Sequence, residues 1–115
     1  MAFSMISEAV AYIDLLQSVA SSRYATLEHL HALLGHVLVQ PGAQIDRYSI
    51  DNNEKTKFYR QVIKYEPARS LLVLLGFEYI VAERRNIWRS PKTYNQDVFR
   101  IIHGFLGSRL NSYEM

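Results

Sequence analysis

The sequence predicts a mostly helical α+β domain carrying a small antiparallel sheet. Three observations lead there. Apolar residues recur at helical spacing through most of the chain. A β-rich run alternates from Phe77 to Val81 and returns between Asn86 and Arg89. Pro41, Pro67 and Pro91, with Gly42 and Gly76, fall between the periodic segments. A chain of 115 residues is expected to form one domain, over 1–115.

Ile6, Val10, Ile13, Leu15 or Leu16, and Val19 or Ala20 mark the first helix, with Ser4 or Ser7 as its cap. Ser21-Ser22-Arg23 interrupts the pattern. A second helix from about Thr26 carries Leu27, Leu30, Leu34, Val37 and Leu38 and stops at Pro41-Gly42. The short break predicts that these two helices form an antiparallel pair. A loop over 42–46 leads to a short strand, Arg47 to Ile50, with Tyr48 and Ile50 on one side.

Asp51-Asn52-Asn53 is rich in turn and capping residues, and a helical face of Phe58, Val62 and Tyr59 or Ile63 follows. Pro67 suits the first turn of another helix, whose stripe is Ala68, Leu71, Leu72 and Leu75 and whose left-handed terminator is Gly76. The apolar run Leu71 to Leu75 places this helix centrally in the core. The hairpin turns at Glu83-Arg84-Arg85, and Pro91 ends it. A closing helix from about Asn95 buries Val98, Ile101, Ile102, Phe105 and Leu110. Gly104 and Gly107 within it imply close packing or fraying, because each costs about 1 kcal/mol relative to Ala.

Composition narrows the function classes. With 49% hydrophobic and 21% charged residues, the chain is not of disordered type. The absence of cysteine excludes disulfides, thiolate metal sites and a cysteine nucleophile. No apolar run approaches the ~18 residues of a membrane span. The start Met1-Ala2-Phe3-Ser4 lacks the basic region of a signal peptide. A soluble protein in a reducing compartment is expected, without a membrane partner.

The net charge of +2 is too small to argue for nucleic acid, but it is unevenly spread. Residues 1–46 hold one basic residue against four acids, a net of −3; residues 47–115 hold twelve against seven, a net of +5. A basic half on a mildly charged domain suits an acidic partner segment, unless the charges simply solvate the surface.

Candidate chemistry is sparse. His29 and His31 point to different faces of a helix, and His29 and His36 stand seven apart, so no metal site is expected. Asp51 and Glu54 are explained by capping, no glycine-rich phosphate loop occurs, and no cofactor is expected. Aromatic residues are more informative. Tyr48, Phe58, Tyr59, Tyr65 and Trp88 are interleaved with Lys55, Lys57, Arg60, Lys64, Arg84, Arg85 and Arg89. Such a mixture stacks bases or holds an acidic peptide with a hydrophobic anchor. Phe58 and Trp88 read first as core residues, whereas Tyr48 stays open between core and site.

The order of segments resembles the PUB domain of peptide N-glycanases, UBA- or UBX-containing proteins and a ubiquitin ligase. The resemblance rests on Leu33-Leu34-Gly35-His36-Val37-Leu38-Val39-Gln40-Pro41, on Tyr48 followed ten positions later by Phe58, and on the helix from Ala68 ending Leu75-Gly76-Phe77-Glu78. It covers about residues 26–110. It implies a compact helical fold around a small sheet, and a monomeric, non-catalytic adaptor. Its expected ligand is the acidic C-terminal tail of the valosin-containing AAA ATPase, which links the chain to ubiquitin-dependent quality control and endoplasmic-reticulum-associated degradation. The implied setting is the cytoplasm, with the nucleus as a second compartment.

A tail aromatic would enter a pocket of His36, Tyr48 and Phe58, and Lys55 and Lys57 would meet tail carboxylates. His36 replaces a family Asn, Asn52 replaces a basic residue, and Lys55 replaces an Asn, so positive charge moves rather than disappears. The loop from Gly42 to Arg47 looks about two residues longer than in peptide N-glycanases. The alternative reading is a nucleic-acid-binding module using the basic, aromatic-rich half. A third is an RNA-cleaving fragment, since the kinase-extension nuclease fold resembles the PUB fold, but no His–Tyr–Arg grouping can be placed here.

Overall fold

A computed structural model describes residues 2–39, 49–81 and 83–113. Helix α1 spans Ala2–Val19 and α2 spans Arg23–Val39; strand β1 is Ser49–Asp51, and a π-helical turn covers Tyr59–Ile63. Helix α3 is Glu66–Leu74, strands β2 and β3 are Glu78–Val81 and Asn86–Arg89, and α4 closes the chain at Gln96–Tyr113. The domain is therefore α+β and mostly helical, with one antiparallel sheet in the order β1-β3-β2. Its Cα radius of gyration, 13.7 Å, is that of a single compact domain of this length.

Helix pairing differs from the sequence expectation. α1 packs mainly on α3 and α2 mainly on α4, while α1 and α2 touch only slightly. Ser22 accepts the Ala25 N–H at 3.3 Å and caps α2, so the second helix begins before Thr26. Thr26 is instead buried inside the helix. Ser4 and Ser7 likewise lie within α1 and do not start it. The buried stripe of α1 is Ala9, Ile13 and Leu16, leaving Leu15 and Val19 about half exposed.

At the α2–α4 crossing, His31 and His103 stack with ring centroids 4.0 Å apart and an interplanar angle of 15°. Each imidazole fills the space left by a glycine on the other helix. A Cβ added to Gly107 would lie 3.2 Å from His31 Nε2, and one added to Gly35 would lie 3.3 Å from His103 Nε2. These pairings make the helices antiparallel here. Gly107 is thus the close-packed position that the sequence leads one to expect, whereas a Cβ at Gly104 would meet nothing within 4 Å. Tyr94 fastens the other end by donating its hydroxyl to the Val37 carbonyl at 3.1 Å. Asn95 caps α4 by accepting the Val98 N–H at 3.1 Å. The α4 stripe includes Phe99 and Leu106, and Ile101 faces outward, contrary to the periodicity reading.

Between β1 and α3 the chain forms a π-turn where a regular helix was expected. Thr56 accepts the Tyr59 N–H at 3.2 Å and so takes the capping role expected of residues 51–53, while Asn53 accepts the Lys55 N–H at 2.9 Å in a local turn. The Lys64 N–H then reaches back five residues to the Tyr59 carbonyl at 3.0 Å. Proline at 67 has no N–H to offer the Ile63 carbonyl. Arg69 Nη1 donates to that carbonyl at 2.8 Å, and Thr26 Oγ1 donates to the Gln61 carbonyl at 2.6 Å.

α3 ends as expected. The Gly76 N–H bonds to the Val73 carbonyl at 3.0 Å, the Phe77 N–H to the Leu72 carbonyl at 2.9 Å, and Gly76 takes φ 92°. The helix is one-sided and not surrounded: Leu71 and Leu72 are wholly buried, but Val73 is 62% exposed. In the sheet, Trp88 of β3 stands between Ile50 of β1 and Tyr79 of β2. Ile50 and Trp88 are buried in the core, whereas Arg47 and Tyr48 of the expected strand lie outside the described residues, as does Pro41-Gly42. Among the described residues no helix is long and apolar enough to cross a membrane.

Leu72→Ala should cost about 2–5 kcal/mol, through lost burial and a residual cavity, in a denaturant titration. A loss under about 1 kcal/mol would mean that the α3 stripe is misassigned. The histidine stack adds a pH dependence. Burial first, and the facing His31 second, lower the His103 pKa below its ordinary value. The unfolded chain therefore takes up the proton first as pH falls. The stability that His103 contributes is complete above its ordinary value near 6.5 and is lost as pH drops through its lowered value. Thermal melts between pH 8 and 5 should show a shallower decline for His103→Gln than for the parent chain. Parallel declines would contradict this.

Candidate functional site

The residues expected to form a site do not share one environment. Phe58 is half-buried against the core and meets His29 of α2 edge-on, with ring centroids 6.0 Å apart at 78°. Lys57 and Lys55 are exposed. His36 is exposed in the last turn of α2, on the same side as His29 because seven residues make about two helical turns. Tyr48 lies outside the described residues. Phe58 and Lys57 therefore lie along the α2 flank that carries His29, and His36 stands about two turns further along that side of the helix.

Asn52 belongs elsewhere. Its Oδ1 accepts the Trp88 indole N–H at 3.1 Å, its Nδ2 lies 3.5 Å from the Tyr79 hydroxyl, and its backbone N–H bonds to the Asn86 carbonyl at 2.8 Å. Asn52 thus has a structural role at the sheet, and it also lines the groove beside it. Its side-chain oxygen holds Trp88 and joins β1 to β3.

Two grooves flank this region. One, of about 370 Å³, is lined by Asp51, Asn52, Asn53, Glu54, Tyr59, Arg84 and Arg85 among others. Its charges are mixed, and Arg85 Nη1 lies 3.7 Å from Asp51 Oδ2. The other, of about 500 Å³, runs between the first half of α2 and residues 57–65. Its walls carry His29, Lys57, Arg60, Lys64 and Tyr65, with Glu28 as their carboxylate. Tyr65 is pinned to the α1–α2 junction. Its hydroxyl accepts the Ser21 N–H at 2.9 Å and donates to Ser21 Oγ at 3.1 Å. Those Ser21 contacts, side chain first, lower the Tyr65 pKa from its ordinary value.

Arg60, Lys64 and Tyr65, which line this groove, belong to the aromatic and basic mixture read from the sequence but not to the expected pocket, and His29 figures in that reading only as a metal-ligand candidate. Their signal was present in the spacing of Lys57, Arg60 and Lys64, three and four residues apart, which aligns them on one helical edge. The remaining histidines, His31 and His103, are engaged at the α2–α4 crossing. Among the described residues no three histidine, aspartate or glutamate side chains are grouped to hold a metal ion. Compared with protein-family models, with curated proteins and with solved structures, the chain gives no match.

Asn52→Ala should leave the largely buried Trp88 indole donor unpaired and destabilise the domain by about 1–3 kcal/mol. Asn52→Asp, which keeps the acceptor, should recover most of that loss in the same denaturant titration. Equal stability of Asn52→Ala and the parent would show that the indole bond contributes nothing.

Proposed function

We propose that the chain is a non-catalytic, PUB-type adaptor domain that binds the acidic C-terminal tail of the valosin-containing AAA ATPase. In that role it places its parent protein in the ubiquitin quality-control pathway of the cytoplasm, and of the nucleus where the ATPase also works. The observation that carries the reading is the junction of α2 with residues 57–63. There a half-buried aromatic, Phe58, one of the three residues the resemblance assigns to the anchor pocket, packs against His29 beside the exposed Lys57. Asn52, turned to the sheet, leaves Lys55 and Lys57 as the cations of the proposed pocket.

The charge pattern favours a peptide over a phosphate lattice. Arg85, Arg100 and Arg109 lie beside Asp51, Asp97 and Asp14, so part of the basic half's charge is offset by carboxylates of both halves. A short peptide held by one aromatic anchor and a few exposed ion pairs should bind with a dissociation constant on the order of micromolar.

Calorimetric titration with the tail peptide tests this. Tyr48→Ala should weaken binding at least tenfold, about 1.4 kcal/mol, without unfolding the domain. Lys57→Glu should weaken it severalfold, by an amount that shrinks as salt rises. Absence of tail binding would overturn the proposal. So would tight binding of single-stranded nucleic acid with a steep log–log salt slope, which would support the nucleic-acid reading instead.

A further inference from the structure

Resting on the peptide-binding reading, we infer that the groove between α2 and residues 57–65 is a second subsite of the same bound peptide. It takes side-chain carboxylates about three to six residues from the aromatic anchor. Three cations, Lys57, Arg60 and Lys64, line the groove against one carboxylate, Glu28. None of the three forms an ion pair among the described residues, in contrast to Arg85, Arg100 and Arg109. Positive charge is therefore in excess in this concave place, and its complement is an acidic segment.

The walls are fixed by internal bonds. The Thr26 hydroxyl on the Gln61 carbonyl holds the π-turn against α2. Tyr65 is held by Ser21, and Lys64 Nζ stays 5.2 Å from the Tyr65 ring centroid. An incoming carboxylate meets cations mounted on a rigid rim, which lowers the ordering cost of the contact.

His29 connects the two subsites, because it lines the groove and also packs on Phe58. From the level of His36 to that of Ser22, α2 rises about 21 Å at 1.5 Å per residue. An extended peptide covers that distance in about six residues, and reaches the level of His29, which lines the groove, in about three. The spacing between aromatic and acidic residues thus becomes a specificity rule, where acidity alone would not suffice.

Two synthetic peptides sharing the aromatic end test the inference by fluorescence anisotropy. One carries Asp at the third to sixth positions from the aromatic, the other Ser at those positions. The Asp peptide should bind the parent chain about tenfold more tightly. The double variant Arg60→Gln/Lys64→Gln should bind both peptides as the parent binds the Ser peptide, and thermal melts should confirm its fold. Equal binding of the two peptides to the parent, or an Asp preference that persists in the variant, would overturn the inference and leave the anchor pocket standing. Failure of both peptides to bind the parent would overturn the peptide-binding reading itself, and the subsite with it.

Discussion

The packing of α2 against α4 is the constraint on which the rest of the structure depends. Two imidazoles stack at the crossing, and each occupies the notch of a glycine on the opposite helix. Gly35 and Gly107 lack a Cβ, and one added at either place would press on the histidine Nε2 tightly enough that the imidazole must give by a few tenths of an ångström. Because packed interiors tolerate little displacement, the interlock sets the position and the rotation of α2. The opposite flank of α2 then becomes a fixed wall, and the proposed ligand surface is built on that wall.

The second wall follows from the proline at position 67. Pro67 has no N–H for the Ile63 carbonyl, and side chains reach both that carbonyl and the one of Gln61. They are Arg69, from the first turns of α3, and Thr26 from α2. The π-turn is thus tied to both helices, and its cationic edge is turned toward the groove. Asn52 does related work at the sheet, where it joins Trp88 to β1.

Much of this fold was legible in the residues. The apolar stripes of α2 and α3, the Gly76 terminator, the hairpin and the start of α4 all follow from local periodicity and capping chemistry. Helix partnership did not follow, because an amphipathic stripe says which face is buried and not against what. The repeated pattern of His followed four positions later by Gly, at 31–35 and 103–107, was the available signal for the α2–α4 pair. The π-turn was hidden for a different reason: its cause is the fate of two carbonyl groups, settled by side chains from distant segments. The bond from the Trp88 indole to Asn52 was not legible either, since the two residues stand 36 apart in sequence.

The most direct measurement of the central claim, that α2 is a wall held by α4 on one side and free to bind on the other, is amide chemical-shift mapping during titration with the acidic tail peptide. The expected result is a continuous band of shifts over Ala25, Glu28, His29 and His36 together with residues 57–65. Amides of the α4-facing positions His31 and Gly35, and of His103 and Gly107, should stay nearly unmoved. Shifts confined to Arg84, Arg85 and the β2–β3 turn, or spread through the α2–α4 crossing, would contradict it.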